Sequence, residues 1–370
     1  MNWRKLLTIF LVLCMLFSFA ACGEDDSYYD EEEETEETEQ LESTDSKDTT
    51  APEKPSAPEE DPTVPEEDPT VPTDPQDEPV GPIEPPGSAT PLLYKVTDDR
   101  GNVAWLFGSI HAGAEYFYPL PEYVTSAYEG ADALAVEFDV KAFENDMTAQ
   151  MAVAGKMFYA DGTTIKDHIP EETYNEAVKI LQENGMYMSY MDIYHVAMWT
   201  DTIDGFTEEK AGVNYDLGID MHLLDKAYQD NKKILDIESA DFQFDMLLGF
   251  SDELQTILLE EAIASYYAPD EYRTQLEELM AVWATGNETQ FWTYLDQEET
   301  FESPEEEALY KEYTKAMETD RNIGMADFVE DALTSGEEVF VCVGAAHVVG
   351  EDAMVELLRD RGYTVTLVQE

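Results

Sequence analysis

Two kinds of apolar pattern alternate along this chain: short continuous or alternating runs bounded by turn formers, and longer stretches in which apolar residues recur every three to four positions. The first kind predicts strands and the second amphipathic helices. Residues 92–96 and 103–107 flank Asp98-Asp99-Arg100-Gly101-Asn102, a cluster that predicts a β-hairpin. A helix is expected over 119–130, with Val124, Ala127 and Tyr128 at helical spacing, and a strand over 133–139. That strand–helix–strand order favours a parallel pair with a right-handed crossover. The middle of the chain predicts helices over 171–181, 186–199, 218–231, 242–267, 271–286 and 305–333, with one strand at 233–238. A strand at 339–343, a helix at 352–361 and a strand at 363–368 close the sequence as a second strand–helix–strand unit. The fold class expected is α/β (α+β): a mixed, partly parallel central sheet from the N- and C-terminal segments around a large helical middle.

Two strands end alike. Val103-Ala104-Trp105-Leu106-Phe107 stops at Gly108-Ser109-Ile110-His111, and Val339-Phe340-Val341-Cys342-Val343 stops at Gly344-Ala345-Ala346-His347. Each delivers one imidazole just past a buried strand, where open α/β sheets keep their ligands, so His111 and His347 are expected to share a crevice. Only five histidines occur in the chain, which makes the repetition informative. Of the others, His168 and His195 suit structural roles, and His222 stands two residues from Asp220, so on a helix the two would face different ways.

The carboxylates add candidates. Glu137 follows Leu134, Ala135 and Val136, and burying it requires a metal ion, an arginine or a raised pKa that would make it a general base. Glu238 also falls at a strand end, whereas Asp220 near a helix start suits the helix dipole. Arg321-Asn322 interrupts the apolar positions Met317, Ile323 and Phe328, where the arginine would pair with an acid or hold a substrate carboxylate. Cys342 sits among valines as a small hydrophobe.

Residues 1–90 differ in kind. Arg4 and Lys5 precede an apolar core over 6–19 and then Ala20-Ala21-Cys22-Gly23, the layout of a secretory signal over residues 1–21. Phe19-Ala20-Ala21-Cys22 resembles the lipobox of bacterial lipoproteins, which implies lipidation of Cys22 and anchorage on the extracytoplasmic face of the cell membrane. Residues 22–90 are acidic and proline-rich, with the tandem repeat EEDPTVP at 59–65 and 66–72, and have too little to bury for a core. They are expected to form an extended, disordered linker to a folded domain over 91–370.

The net charge of −63 excludes nucleic acid as a partner. Since the linker carries 25 acids against two lysines, most of the charge, −42, belongs to residues 91–370. Such a surface draws cations and repels anionic substrates.

Over nearly all of 91–370 the chain resembles the TraB/GumN family, which includes the Tiki-type proteins. The matching segments are residues 105–111, 119–121, 131–137, Gly218-Ile219-Asp220, 235–238, Arg321-Asn322, 343–347 and 362–365. The resemblance implies a fold related to erythromycin-esterase-like and ChaN-like proteins and, through Tiki relatives, a divalent-metal-dependent peptidase or related hydrolase. Carried over, His111, His347 and Glu137 become the metal and catalytic set with Arg321, and Glu238 becomes a further ligand. Gly108, Gly344, Asp220 and Asn322 become supporting residues. The metal would be Mn²⁺, Co²⁺ or Zn²⁺, and the substrate a peptide or protein. The family also contains inhibitors of peptide pheromones, so a surface protein that binds a peptide without cleaving it is the alternative.

Overall fold

The computed structural model describes residues 85–296, 301 and 303–369. The expected signal peptide, Cys22 and the linker up to residue 84 lie outside them. The chain opens with β1 (Leu93–Thr97) and β2 (Val103–Ser109), an antiparallel hairpin whose turn is closed by the Asp98 carboxylate accepting from the Arg100 and Asn102 backbone amides. Helix α1 (Glu122–Gly130) and β3 (Ala133–Val136) follow. Four helices, α2 (Val140–Asn145), α3 (Met147–Ala154), α4 (Ile165–His168) and α5 (Glu171–Glu183), lead to α6 (Val196–Ala211). Next come α7 (Ile219–Asp230) and β4 (Lys233–Asp236). The run α8 (Ala240–Leu248), α9 (Asp252–Tyr267), α10 (Pro269–Ala284) and α11 (Glu288–Leu295) completes the helical middle. Helix α12 (Pro304–Thr314) passes through one π turn at Lys315–Thr319 into α13 (Asp320–Ser335). The chain ends with β5 (Val339–Gly344), the single turn α14 (Ala345–Val348), α15 (Met354–Asp360) and β6 (Thr364–Val368).

The fold is mixed α/β, and its six strands lie in the order β4-β3-β5-β2-β1-β6. β2, β5, β3 and β4 run parallel, whereas β1 is antiparallel to both β2 and β6. The parallel pair expected between β2 and β3 is therefore not direct, because β5 from the far end of the chain inserts between them. Burial explains this choice. Every residue of β3 and β5 is buried, so both need neighbours on two sides, while β4 and β6 are partly exposed and form the edges.

The main core packs both faces of this sheet, and a second cluster joins Ile165, Tyr174, Ile180 and Leu181 to Trp199, Ile203, Leu259 and Tyr266 in the helical middle. Two expected helices are interrupted. Residues 186–188 are not helical, and a 3₁₀ turn at Ser189–Ile193 replaces the start of the 186–199 helix. Asp192 there accepts from the Tyr174 and Tyr187 hydroxyls and from Lys166, and just past the turn extended Tyr194 bridges to Phe158, which together hold the segment out of a continuous helix. The 242–267 helix breaks at Gly249, after which the Ser251 hydroxyl caps α9 by accepting from the Leu254 amide.

Candidate functional site

Parallel pairing of β2 and β5 sets Ser109 opposite Gly344, so both strands end level and both histidines leave from the same end of the sheet. Glycine makes the closeness workable: a Cβ on Gly108 would lie 2.9 Å from Ala345 Cα, so α14, which carries His347, can rest against β2 only because residue 108 has none. A second close approach places Asp220. The Ile219 amide donates to the Ile110 carbonyl at 3.0 Å, and a Cβ on Gly218 would stand 2.0 Å from His111 O. The start of α7 is thereby pressed against the end of β2, and Asp220 Oδ2 meets His111 Nδ1 at 2.6 Å. Asp220, suited by its position to a dipole partner, is the direct orienter of one imidazole.

On the other side, the β3–β4 ladder continues past the strands, with the Glu238 amide donating to Glu137 O at 2.7 Å. Glu137 and Glu238 consequently stand side by side, and Arg321 from the first turn of α13 closes on both. Its Nη2 donates to Glu137 Oε2 at 2.6 Å and to Glu238 Oε2 at 2.9 Å, and its Nε to Glu238 Oε1 at 2.8 Å. The Arg321 side chain is 1% exposed, against 13% for Glu137 and 8% for Glu238. A guanidinium buried this deeply holds its place only if nearly all its donors are used, and Met317 O takes Nη1 at 3.4 Å. The π turn directly precedes it in the chain. Of the three ways to bury Glu137, the molecule uses the arginine.

Protonation follows from these contacts. Burial by itself would raise the Glu137 carboxyl, but Arg321 and the two imidazoles outweigh it and hold it down at about 2. Its Oε1 also accepts from the Gly344 amide at 2.9 Å. Burial, followed by the Arg321 charge, pushes the His347 imidazole down to about 3, so it is neutral at physiological pH. For His111 burial works downward too, but Asp220, through charge and hydrogen bond, and then Glu137 overcome it and raise the pKa. One imidazole is thus kept neutral and the other is primed to accept a proton.

A pocket enclosing about 530 Å³, open solvent at its mouth included, meets these groups. Ser109, His111, Glu137, Asp220 and Gln243 supply its polar lining, and apolar side chains such as Phe138 and Leu224 supply its walls. His347 stands behind this lining, with Nδ1 against Asn322 Oδ1 at 2.7 Å. The sequence-predicted residues His111, His347, Glu137, Glu238, Arg321, Asp220 and Asn322 are therefore brought into one network. Gly108 contributes room, and Gly344 contributes its amide, since a Cβ there would meet only ordinary contacts at 3.5 Å. Gln243 was missed. It is buried, and its amide donates to Glu238 Oε2 at 2.9 Å and to Glu137 Oε2 at 3.4 Å. The signal in the sequence was a glutamine interrupting the apolar positions Ala240, Phe244 and Leu247. His168 and His195 lie elsewhere, both against Tyr159.

The fit to a divalent cation is partial. Each histidine commits Nδ1 to a neighbour and leaves Nε2 open, the way metal-bound imidazoles are oriented. The carboxylates do not match: Glu137 and Glu238 are closed on a guanidinium, and among the described residues no three His, Cys, Asp or Glu side chains are grouped to hold a metal ion. As arranged, the donor set does not fit.

Residues 92–367 match the model of the TraB/PrgY/gumN family. Among curated proteins, uncharacterized protein YbaP of Escherichia coli strain K12 is 26% identical over 257 residues, which is 69% of this chain and 87% of that protein. The same figures hold for YbaP of Shigella flexneri. No solved structure matches at a significant level.

Proposed function

The chain belongs to the TraB/PrgY/gumN family, and on that footing we propose that its folded domain is a hydrolase of peptide or protein substrates. The observation that supports this best is the 2.6 Å contact of Asp220 with His111 Nδ1 in the pocket lining. With Nδ1 engaged, Nε2 is the working atom. It takes a proton from a water molecule, whose oxygen then bonds to the scissile carbonyl carbon. When the C–N bond breaks, the same atom returns the proton to the leaving amine. Asp220 holds the ring and stabilises the imidazolium, and the excess negative charge of two carboxylates around one arginine does the same. His347, neutral and behind the pocket lining, adds no positive charge beside the His111 imidazolium. Arg321 is a positioning residue, because its charge is committed to Glu137 and Glu238.

The N-terminal segment extends the proposal: a lipid on Cys22 would hold the domain at the extracytoplasmic face of the membrane, beyond an acidic linker. Radiolabelled fatty acid incorporated by the wild type and lost in Cys22→Ala would establish the anchor, and equal labelling of both would remove it.

The test of the activity is cleavage of a mixed peptide library by the whole chain, read by mass spectrometry, beside His111→Ala and with or without chelator. Cleavage that survives chelation and disappears in His111→Ala supports the reading. Loss on chelation with recovery in Mn²⁺, Co²⁺ or Zn²⁺ would replace it by the metal-dependent peptidase that the family resemblance implies. Peptides that bind and return intact would replace it by peptide capture. That alternative gains from the exposed methionines Met147, Met151 and Met188 of the helical middle, whose flexible side chains suit adaptable binding.

A further inference from the structure

Asn322 has two partners, and one decides the other. Its Nδ2 donates to the Asp352 carbonyl at 3.2 Å, while Oδ1 faces His347 Nδ1 at 2.7 Å. A side-chain amide has one oxygen and one NH₂ group, so with the NH₂ on a carbonyl only the oxygen can face the ring. The neutral imidazole must then carry its hydrogen on Nδ1, which leaves Nε2 bare. The tautomer of His347 is therefore set by a backbone carbonyl two steps away.

What aims that carbonyl is the loop between α14 and α15. Asp352 holds φ +59, in the left-handed region, and Gly350 holds φ +138. Beside Gly350 lies the ring of Trp292 from α11: a Cβ there would be 2.2 Å from Trp292 Cζ3 and 2.5 Å from Cε3. The indole packs directly on the peptide backbone, filling the space any other residue would need. The Ala353 amide closes the turn onto Gly350 O at 3.3 Å.

We infer that Trp292, which lines no part of the pocket, is a positioning residue for His347: its ring seats the 350–352 turn, the turn aims the Asp352 carbonyl, and that carbonyl makes Asn322 select the Nδ1–H tautomer. The consequence for turnover rests on the hydrolase reading. The consequence for the ring does not.

The experiment is ¹⁵N NMR of histidine-labelled full-length chain, which distinguishes Nδ1–H from Nε2–H imidazoles, with His347→Gln assigning the signal. Wild type is expected to show His347 wholly as Nδ1–H. Trp292→Leu turns it into a tautomer mixture while the other four histidines keep their signals, and peptide turnover falls on the order of 10²-fold, the effect of a misplacement of about 1 Å. Asp352 is exposed, so its variants keep the fold and test the same chain of contacts. Asp352→Gly and Asp352→Asn, which tolerate the left-handed conformation, retain the pure tautomer, and Asp352→Val, β-branched, loses it. A pure Nδ1–H signal in both Trp292→Leu and Asp352→Val, or a mixture already in wild type, overturns the inference. If wild type cleaves no peptide the hydrolase reading falls alone, and the tautomer measurement still decides this one.

Discussion

Asp220 reaches His111 across 109 residues of chain, and the two side chains meet at 2.6 Å with both ring and carboxylate mostly buried. Asp220 is the main influence raising the His111 pKa, with Glu137 acting in the same direction. Glu137 and Glu238 share the single charge of Arg321 and so leave one negative charge beside the pair, and His347 is held neutral.

Asp220→Asn keeps the shape of this contact and removes its charge. Turnover is expected to fall about 10²–10⁴-fold. Since Asp220 is the main influence raising the His111 pKa, the acid limb of the kcat/KM profile moves to lower pH in the variant. A pH–rate profile measures both, and an unmoved limb would remove Asp220 from the dyad.

Arg321→Leu leaves two adjacent carboxylates with no counter-charge. Breaking a buried ion pair from one side typically destabilises by about 3–5 kcal/mol, and this domain should lose stability on that scale at neutral pH. Adding Glu137→Gln and Glu238→Gln should recover most of the loss, because the neutral amides need no guanidinium. Urea midpoints of the single and triple variants check this, and a triple variant no more stable than the single would contradict the charge-based account.

His347 gives the fold a dependence on pH with a definite sign. Its pKa falls from an ordinary 6.5 to about 3 on folding, so above pH 6.5 neither state binds the proton and the contribution is constant. As pH drops from 6.5 toward 3 only the unfolded chain takes the proton, and stability is lost at up to about 1.4 kcal/mol per pH unit. His347→Gln removes this slope, so the stability difference between wild type and variant should shift in favour of the variant between pH 7 and 5. Denaturant titrations at the two pH values measure it, and a difference independent of pH would show that the ring is not buried neutral.

Glu208 acts with the opposite sign. On α6, burial raises its pKa from 4.5 to about 7, although the Tyr215 hydroxyl works against the shift. The folded state keeps the proton longer, so stability is fully present below pH 4.5 and is lost as pH rises to 7. Glu208→Gln, which mimics the protonated form, should gain roughly 1–3 kcal/mol at pH 8 and nothing at pH 4. Equal effects at both pH values would contradict this. Asp201 and Asp204 on the same helix are raised in the same direction by burial, so the three carboxyls form one acid-favouring patch.

The two strand-end histidines were legible because a buried strand ending in glycine leaves an unmistakable local pattern, and local pattern is what a sequence carries directly. For the same reason the hairpin, most helices and the mixed sheet could be anticipated, along with Glu137 as a carboxylate needing a partner. Identity of the partners was not legible. Glu137 and Glu238 become neighbours only through β3–β4 register, Asp220 meets His111 only because Gly218 admits a backbone contact, and Gln243 joins from a helix with no motif of its own. β5 illustrates the limit most directly: its own residues specify a fully buried strand, but the slot between β2 and β3 is set by which strands can hydrogen-bond both of its edges. The sequence alone marked most of the candidate side chains and the segments that bury them. Tertiary structure decided which of those side chains touch, because contacts over about a hundred residues depend on strand order, register and close backbone approach, none of which is written in the local spacing of residues.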